Sequence, residues 1–187
     1  GSSCWAPARR PRWLTAPAPA TWCRPATRGC CSTAVLAACA VFSRPASTPP
    51  ASTTCFSPTC YDHCVDFAYL VLTRWDQGAG RIPELPVYGP PPLVRMSTRL
   101  FAADGAFGPD LQARTEHPGS HFIYEARGGI LPRRPPEPRV TEVEDGSRVE
   151  SAAWTLEVAE VAHVQPQLTC LAYRLTTEET TIVFGGD

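Results

Sequence analysis

The chain has 187 residues, enough for one domain of ordinary size with a sizeable core. Hydrophobic residues make up 43% and charged residues 19%, and the mean hydropathy is -0.15, a globular average. The longest apolar run, Thr33 to Phe42 (TAVLAACAVF), falls far short of the roughly 20 residues a membrane-spanning helix needs. The net charge of -1 gives no global attraction to nucleic acid or an anionic membrane.

The averages conceal a seam at Tyr61. Residues 1–60 carry six Arg and no Asp, Glu, Lys or His, whereas residues 61–187 carry eleven Arg, all 18 acids and all 4 His. Seven of the nine Cys (Cys4, Cys23, Cys30, Cys31, Cys39, Cys55 and Cys60) and nine of the 21 Pro also precede Tyr61. A soluble surface normally mixes both signs of charge, so an acid-free stretch of this length is not an ordinary domain surface. Three readings compete. A secretory leader would explain the Arg-rich start and TAVLAACAVF, although that run begins late. A disulfide-stapled secreted module would explain the cysteines, although seven is odd and no repeated CxxC pair suggests zinc. The third reading is a segment translated out of frame.

From Tyr61 onward the chain reads as alternating elements. Val65 to Trp75 has helical apolar spacing. Leu85 to Tyr88 is a short strand ended by Gly89 and Pro90 to Pro92, and Leu93 to Ala103 is a second helix. His121 to Ala126 (HFIYEA) reads as a strand closed by Gly128 and Gly129. Leu131 to Pro138 is a Pro-rich loop. Arg139 to Glu150 suggests a hairpin turning at Asp145 and Gly146. Trp154 to Val164 alternates as a strand, and Cys170 to Leu175 with Thr180 to Phe184 forms a hairpin through TTEE. The pattern predicts an α/β fold with one mixed sheet and covering helices.

The out-of-frame reading is checked with the genetic code. Taking the last base of each codon with the first two of the next, Ser52 to Cys60 (STTCFSPTC) permits DHLFLTHL, and the last base of Cys60 can open a His codon. Continued in frame through Tyr61, Asp62 and His63, the text becomes DHLFLTHLHYDH. The same shift over Cys30 to Ala37 (CCSTAVLA) permits LFDCGPG. These strings, in this order, resemble the metallo-β-lactamase-fold hydrolases, whose first metal motif is HxHxDH. Within that family the chain is most similar to the branch with ribonuclease Z and arylsulfatase-like enzymes. In frame, the resemblance spans Tyr61 to Asp187 and rests on YDHCVDFAYLVLTRW, LPVYGPPPLVRM, HPGSHFIYEARGGILPR and AHVQPQLTCLAYRLTTEETTIVFGGD. As written, the chain lacks the two leading His, with Thr59 and Cys60 before Tyr61, and ends at Asp187 ahead of the family's final His ligand.

The resemblance implies a partial metallo-β-lactamase αββα sandwich over residues 61–187, preceded by an irregular, poorly ordered segment over 1–60. It implies a zinc-activated water attacking a phosphodiester or other ester, with two zinc ions in an intact member and one or none in this chain. Zinc in such a site lowers the pKa of water and steadies the charge of the attacked group. By the family pattern Asp62 and His63 hold the second metal, Asp62 also orienting the water as catalytic residue. His163 holds the first metal, and Asp187 bridges both. Read without the family, Asp62–His63 is an ordinary surface pair, His163 a structural His at a strand end, and Asp187 a terminal residue. His117 and His121 read as surface or substrate-side residues, and Cys64 and Cys170 as small buried hydrophobes. Arg127 with Gly128 and Gly129 reads as part of an active-site rim.

The implied partners are a small-molecule or phosphodiester substrate and a second copy in a homodimer. RNA has no basic arm here to support it, and no membrane partner is expected. Cytoplasmic location is the default once the leader is set aside. Two other classes stand beside the impaired hydrolase: a non-catalytic, pseudogene-like product, and a Cys-rich secreted binding module fused to a sheet domain. Metal stoichiometry separates the first, and thiol counting the second.

Overall fold

The computed structural model describes residues 54–185. The chain divides into two units, Gly1–Ala34 and Val35–Asp187, and every described residue belongs to the second. The apolar run Thr33 to Phe42, Cys4 to Cys39 and Asp187 lie outside the described residues.

The first half is a parallel βα unit. Strand β1 (Cys55–Phe56) runs into a 3-10 turn (Tyr61–Cys64) and helix α1 (Phe67–Gly78). Strand β2 (Pro86–Gly89) leads to helices α2 (Leu93–Phe101), α3 (Gly108–Glu116) and α4 (Pro118–Ala126), then strand β3 (Arg139–Glu142). The three strands pair in parallel in the order β1-β2-β3. Parallel neighbours need long crossovers, and the helices supply them. In α1, Phe67, Val71, Arg74 and Gly78 are buried, a stripe at helical spacing. In α2 the buried positions are Leu93, Ser97 and Phe101.

The second half is an antiparallel meander of β4 (Arg148–Glu150), β5 (Thr155–Glu160), β6 (Leu171–Thr176) and β7 (Thr181–Phe184), paired in chain order. Thr155↔Thr176 and Glu160↔Leu171 fix the β5–β6 register, and Tyr173↔Phe184 that of β6–β7. The Glu157–Arg174 ion pair spans directly opposed positions.

Side-chain alternation assigns the faces of β1 and β2. Cys55 and Val87 join Phe67, Val71, Leu93 and Phe101 in a core beneath the helices. Phe56 joins Leu156, Val158, Leu171, Tyr173 and Leu175 in a second core against the antiparallel sheet, with Tyr88 packed on it. The parallel sheet is thus covered on both faces, as parallel sheets normally are.

Three expectations change. The strands form two sheets, one parallel and one antiparallel, instead of one mixed sheet. The turn at Asp145 and Gly146 is present, with Gly146 at φ +77° and Ser147 N–H donating to the Glu144 carbonyl at 3.0 Å. Its flanking strands do not pair, because β3 lies parallel to β2 while β4 lies on β5. HFIYEA is helical. His117 caps α4 by accepting from Gly119 N–H at 3.1 Å, Pro118 opens the helix, and Gly128 at φ +87° follows its end. These start and stop signals outweigh a β-prone composition. Cys55 and Phe56 form a strand and residues 55–60 are buried, so packed structure reaches to the amino-terminal side of the charge seam.

The helical layer is tied to the Pro-rich segment at Asp76. Arg133 and Arg127 reach its carboxylate at 2.9 Å and 2.5 Å, with Arg114 at 3.6 Å. Arg133 also lies between the rings of Trp75 (3.9 Å) and Tyr124 (5.0 Å), and Trp75 Nε1 donates to the Arg134 carbonyl at 2.7 Å.

Burial pushes the Asp76 carboxyl up, but hydrogen bonds and charge from Arg133 and Arg127 outweigh it and hold the group below the usual carboxylate range. A depressed folded value means stabilisation that is complete above the unfolded value, about 3.9, and lost as pH falls through the lowered one. Asp76→Asn is therefore expected to lower stability at neutral pH, and the difference from the parent should shrink below about pH 4 in urea titrations at stepped pH. Tyr173→Phe removes a buried hydroxyl donated to the Ser57 carbonyl. It should cost about 1–3 kcal/mol in the same assay, with the denaturant slope unchanged.

Candidate functional site

The segment leaving the carboxyl end of β1 is held by short-range bonds. Ser57 N–H donates to the Tyr88 carbonyl at 2.8 Å, extending the pairing with β2. The Ser57 hydroxyl donates to the Thr59 carbonyl at 2.6 Å and lies 2.9 Å from Cys64 Sγ. Cys64 Sγ donates to the Thr59 carbonyl at 3.2 Å, and Cys60 Sγ to the Pro90 carbonyl at 3.4 Å. The Cys64 side chain, burial and the neighbouring charges of Cys64 and Glu142 push the Cys60 thiol far up, so it stays protonated. Thr59 Oγ1 is buried without a hydrogen-bond partner.

Two contacts fix this segment against the second sheet. Leu171 N–H donates to the Pro58 carbonyl at 2.7 Å, and the Tyr173 hydroxyl donates to the Ser57 carbonyl. Burial is the main cause holding the Tyr173 hydroxyl well above its ordinary value, so it remains a donor.

The register shows where the other chain segments go. Glu160, the last residue of β5, stands opposite Leu171, the first of β6, and Val161 N–H still donates to the Cys170 carbonyl at 2.9 Å. The loop after β5 therefore starts beside the Leu171–Pro58 contact. Strand β7 runs in the direction of β5, and its last residue, Phe184, is level with Tyr173 and Val158. The turn after β1, the loop after β5 and the carboxyl end of β7 thus issue from the same end of the antiparallel sheet.

Among the sequence-predicted ligands, Asp62 contributes its backbone to the 3-10 turn, and His63 is half-buried in the same turn. His163 is exposed in the loop after β5, where its backbone N–H donates to Gln165 Oε1 at 2.7 Å. Asp187 lies past the described residues. Among the described residues, no group of three or more His, Cys, Asp or Glu side chains could hold a metal ion. The residues present there do not by themselves fit a two-zinc centre.

Other residues singled out from sequence have structural work. His117 caps α4, and a His121 ring nitrogen lies 2.6 Å from the Thr115 carbonyl. Arg127 belongs to the Asp76 cluster, not to a rim around the Asp62–His63 turn. Gly129 packs under Tyr124, where a Cβ would come within 2.4 Å of the ring. Cys64 and Cys170 are buried, as their composition suggested. The bonds of Ser57 and Tyr173 had no local sequence signal, because the partners lie 116 residues apart. Among the described residues no helix is long and apolar enough to cross a membrane.

No family model and no curated protein matches the chain. Among solved structures, it is similar to the metallo-β-lactamase fold protein YhfI from Bacillus subtilis, with 16% identity and a TM-score of 0.40. The match covers 72% of this chain and 40% of that one, so the chain spans less than half the length of the protein it resembles.

Proposed function

We propose that this chain is an impaired relative of the metal-dependent hydrolases of the metallo-β-lactamase fold, of the branch with ribonuclease Z and arylsulfatase-like enzymes. Its two sheets would be the halves of a partial αββα sandwich, read out of frame before Tyr61. Asp62, His63, His163 and Asp187 are the residues that would hold zinc, and Asp62 would orient the water. The intact family's pair of zinc ions supplies an activated water for attack on a small-molecule or phosphodiester substrate. Cytoplasmic location and a homodimer belong to the same proposal.

One observation carries the reading. The segments bearing Asp62 and His63, His163, and the approach to Asp187 leave the strands at one common end. Ligands drawn from several strand ends are what a metal site on a sheet requires, and this topology is independent of the motif that suggested it. Impairment follows from identity. Counted back from Asp62 and His63, the two leading His positions of HxHxDH fall on Pro58 and Cys60 in this chain. Neither supplies the neutral imidazole that zinc binds there.

Zinc measured per chain after dialysis should fall below two ions, with negligible hydrolysis of bis-p-nitrophenyl phosphate. Two tightly held ions in the chain as written would overturn the impairment. Inserting His-Leu-His ahead of Tyr61, in a chain extended past Asp187 with a further His, should raise the zinc content and restore hydrolysis. In that chain His63→Ala should again lower the bound zinc. If the extended chain folds and takes up no zinc, the hydrolase reading fails.

A further inference from the structure

A cleft of about 590 Å³ opens at the other end of the parallel sheet. Thr54, Pro86 and Arg139, which line it, stand at the amino ends of β1, β2 and β3, whereas the turn carrying His63 leaves the carboxyl end of β1. The cleft is therefore separate from the candidate metal site, and nothing said of it depends on that reading. Its size falls in the range of small-molecule sites, roughly 300–1,000 Å³.

Three aromatic rings form its inner corner. Tyr88 stacks on Phe56 at 5.9 Å, and Trp154 stands nearly perpendicular to both, at 6.3 Å and 84° from Tyr88 and 5.8 Å and 89° from Phe56. Two aromatic walls at right angles are a rigid apolar surface, because each ring is fixed by its neighbours. The polar lining is mixed in sign. Glu84 and Glu150 bring carboxylates, Arg139 a guanidinium, and Thr141 and Ser151 hydroxyls. Glu150 is already paired with Arg148 at 2.8 Å, and Glu84 accepts the Glu137 N–H at 3.3 Å.

This combination selects among ligand classes. An anion would meet two carboxylates, and a cation would meet Arg139. A purely apolar ligand would leave the charged groups desolvated without partners. A neutral ring with a C–H face and a hydroxylated edge satisfies both surfaces, since carboxylates accept from hydroxyls and a guanidinium donates to them. We propose that the cleft between the amino ends of the parallel strands and Trp154 binds a neutral saccharide, one pyranose ring lying against Trp154 and Tyr88 while Glu84 and Arg139 hold its hydroxyls.

The test uses the full chain and calorimetric titration with glucose, galactose, N-acetylglucosamine and their β1,4-linked disaccharides, with benzamidine and phenyl phosphate as cationic and anionic probes. At least one saccharide should bind in the millimolar range or tighter, and more tightly than either charged probe. Arg139→Gln and Glu84→Gln, both at exposed positions, should each weaken it about tenfold or more with unfolding curves unchanged. Trp154→Ala should abolish binding, with circular dichroism to confirm the fold. Should Trp154→Ala unfold, Trp154→Leu with saturation-transfer NMR reports loss of ring contact in its place. Absence of binding by the whole panel, preference for a charged probe, or affinity untouched by both rim variants overturns the proposal.

Discussion

The Tyr173 hydroxyl on the Ser57 carbonyl joins the two halves of the described structure. Tyr173 is fully buried in β6, an inner strand of the antiparallel sheet, and Ser57 is the first residue beyond β1 in the parallel one. Left without that carbonyl, the hydroxyl would be a stranded donor in an apolar core. Left without the hydroxyl, the carbonyl would be a stranded acceptor at a sheet edge. The adjacent Leu171–Pro58 bond adds a backbone contact in the same place. Together they set where the segment after β1 begins relative to the loop after β5, and hence where any residue on either can reach.

The Asp76 cluster has the corresponding role on the helical side. One carboxylate gathers Arg114 from α3, Arg127 from just beyond α4 and Arg133 from the Pro-rich segment. Arg133 is nearly buried, and a buried guanidinium is tolerable only when paired, so Asp76 and the faces of Trp75 and Tyr124 act as one unit. Gly129 allows the backbone to pass beneath the Tyr124 ring. The sequence HPGSHFIYEARGGILPR therefore serves to anchor a helix and a loop to α1, which accounts for its Arg and glycines without a catalytic rim.

What could be read from sequence was what depends on local pattern. The apolar spacing of Val65 to Trp75 announced a helix, alternation over Trp154 to Val164 announced β5, and the TTEE turn announced the β6–β7 hairpin. HFIYEA misled because three β-prone side chains sit side by side in six residues, whereas the deciding signals, His117 and Pro118, lie just before them. The expected hairpin between β3 and β4 misled because a turn signal fixes a reversal of direction and says nothing about partners. Of the candidate site, the sequence offered Asp62, His63, His163 and Asp187, and these by resemblance rather than by local pattern. Thr59, Cys60 and Ser57 are shaped by contacts with Pro90 and Tyr173, and no spacing rule reaches that far.

Fold and site make different demands on a sequence, and the first described strand shows the difference. Under the shifted frame proposed above, the text around Cys55 and Phe56 reads Leu-Phe-Leu. The residues present are Cys and Phe, and they are buried on opposite faces of the parallel sheet in two different cores. A two-residue parallel strand needs only adjacent apolar side chains and backbone donors and acceptors, which two quite different codon readings both supply. A metal ligand needs a particular atom at a particular place, and Pro58, with no donor atom in its side chain, cannot take the place of an imidazole however well it packs. Under the proposed shift of frame, backbone pairing would therefore outlast a change that removes the chemistry. The saccharide cleft stands on both sides of the seam at Tyr61: its Tyr88 and Trp154 walls follow it, whereas Phe56, the third ring of its corner, precedes it.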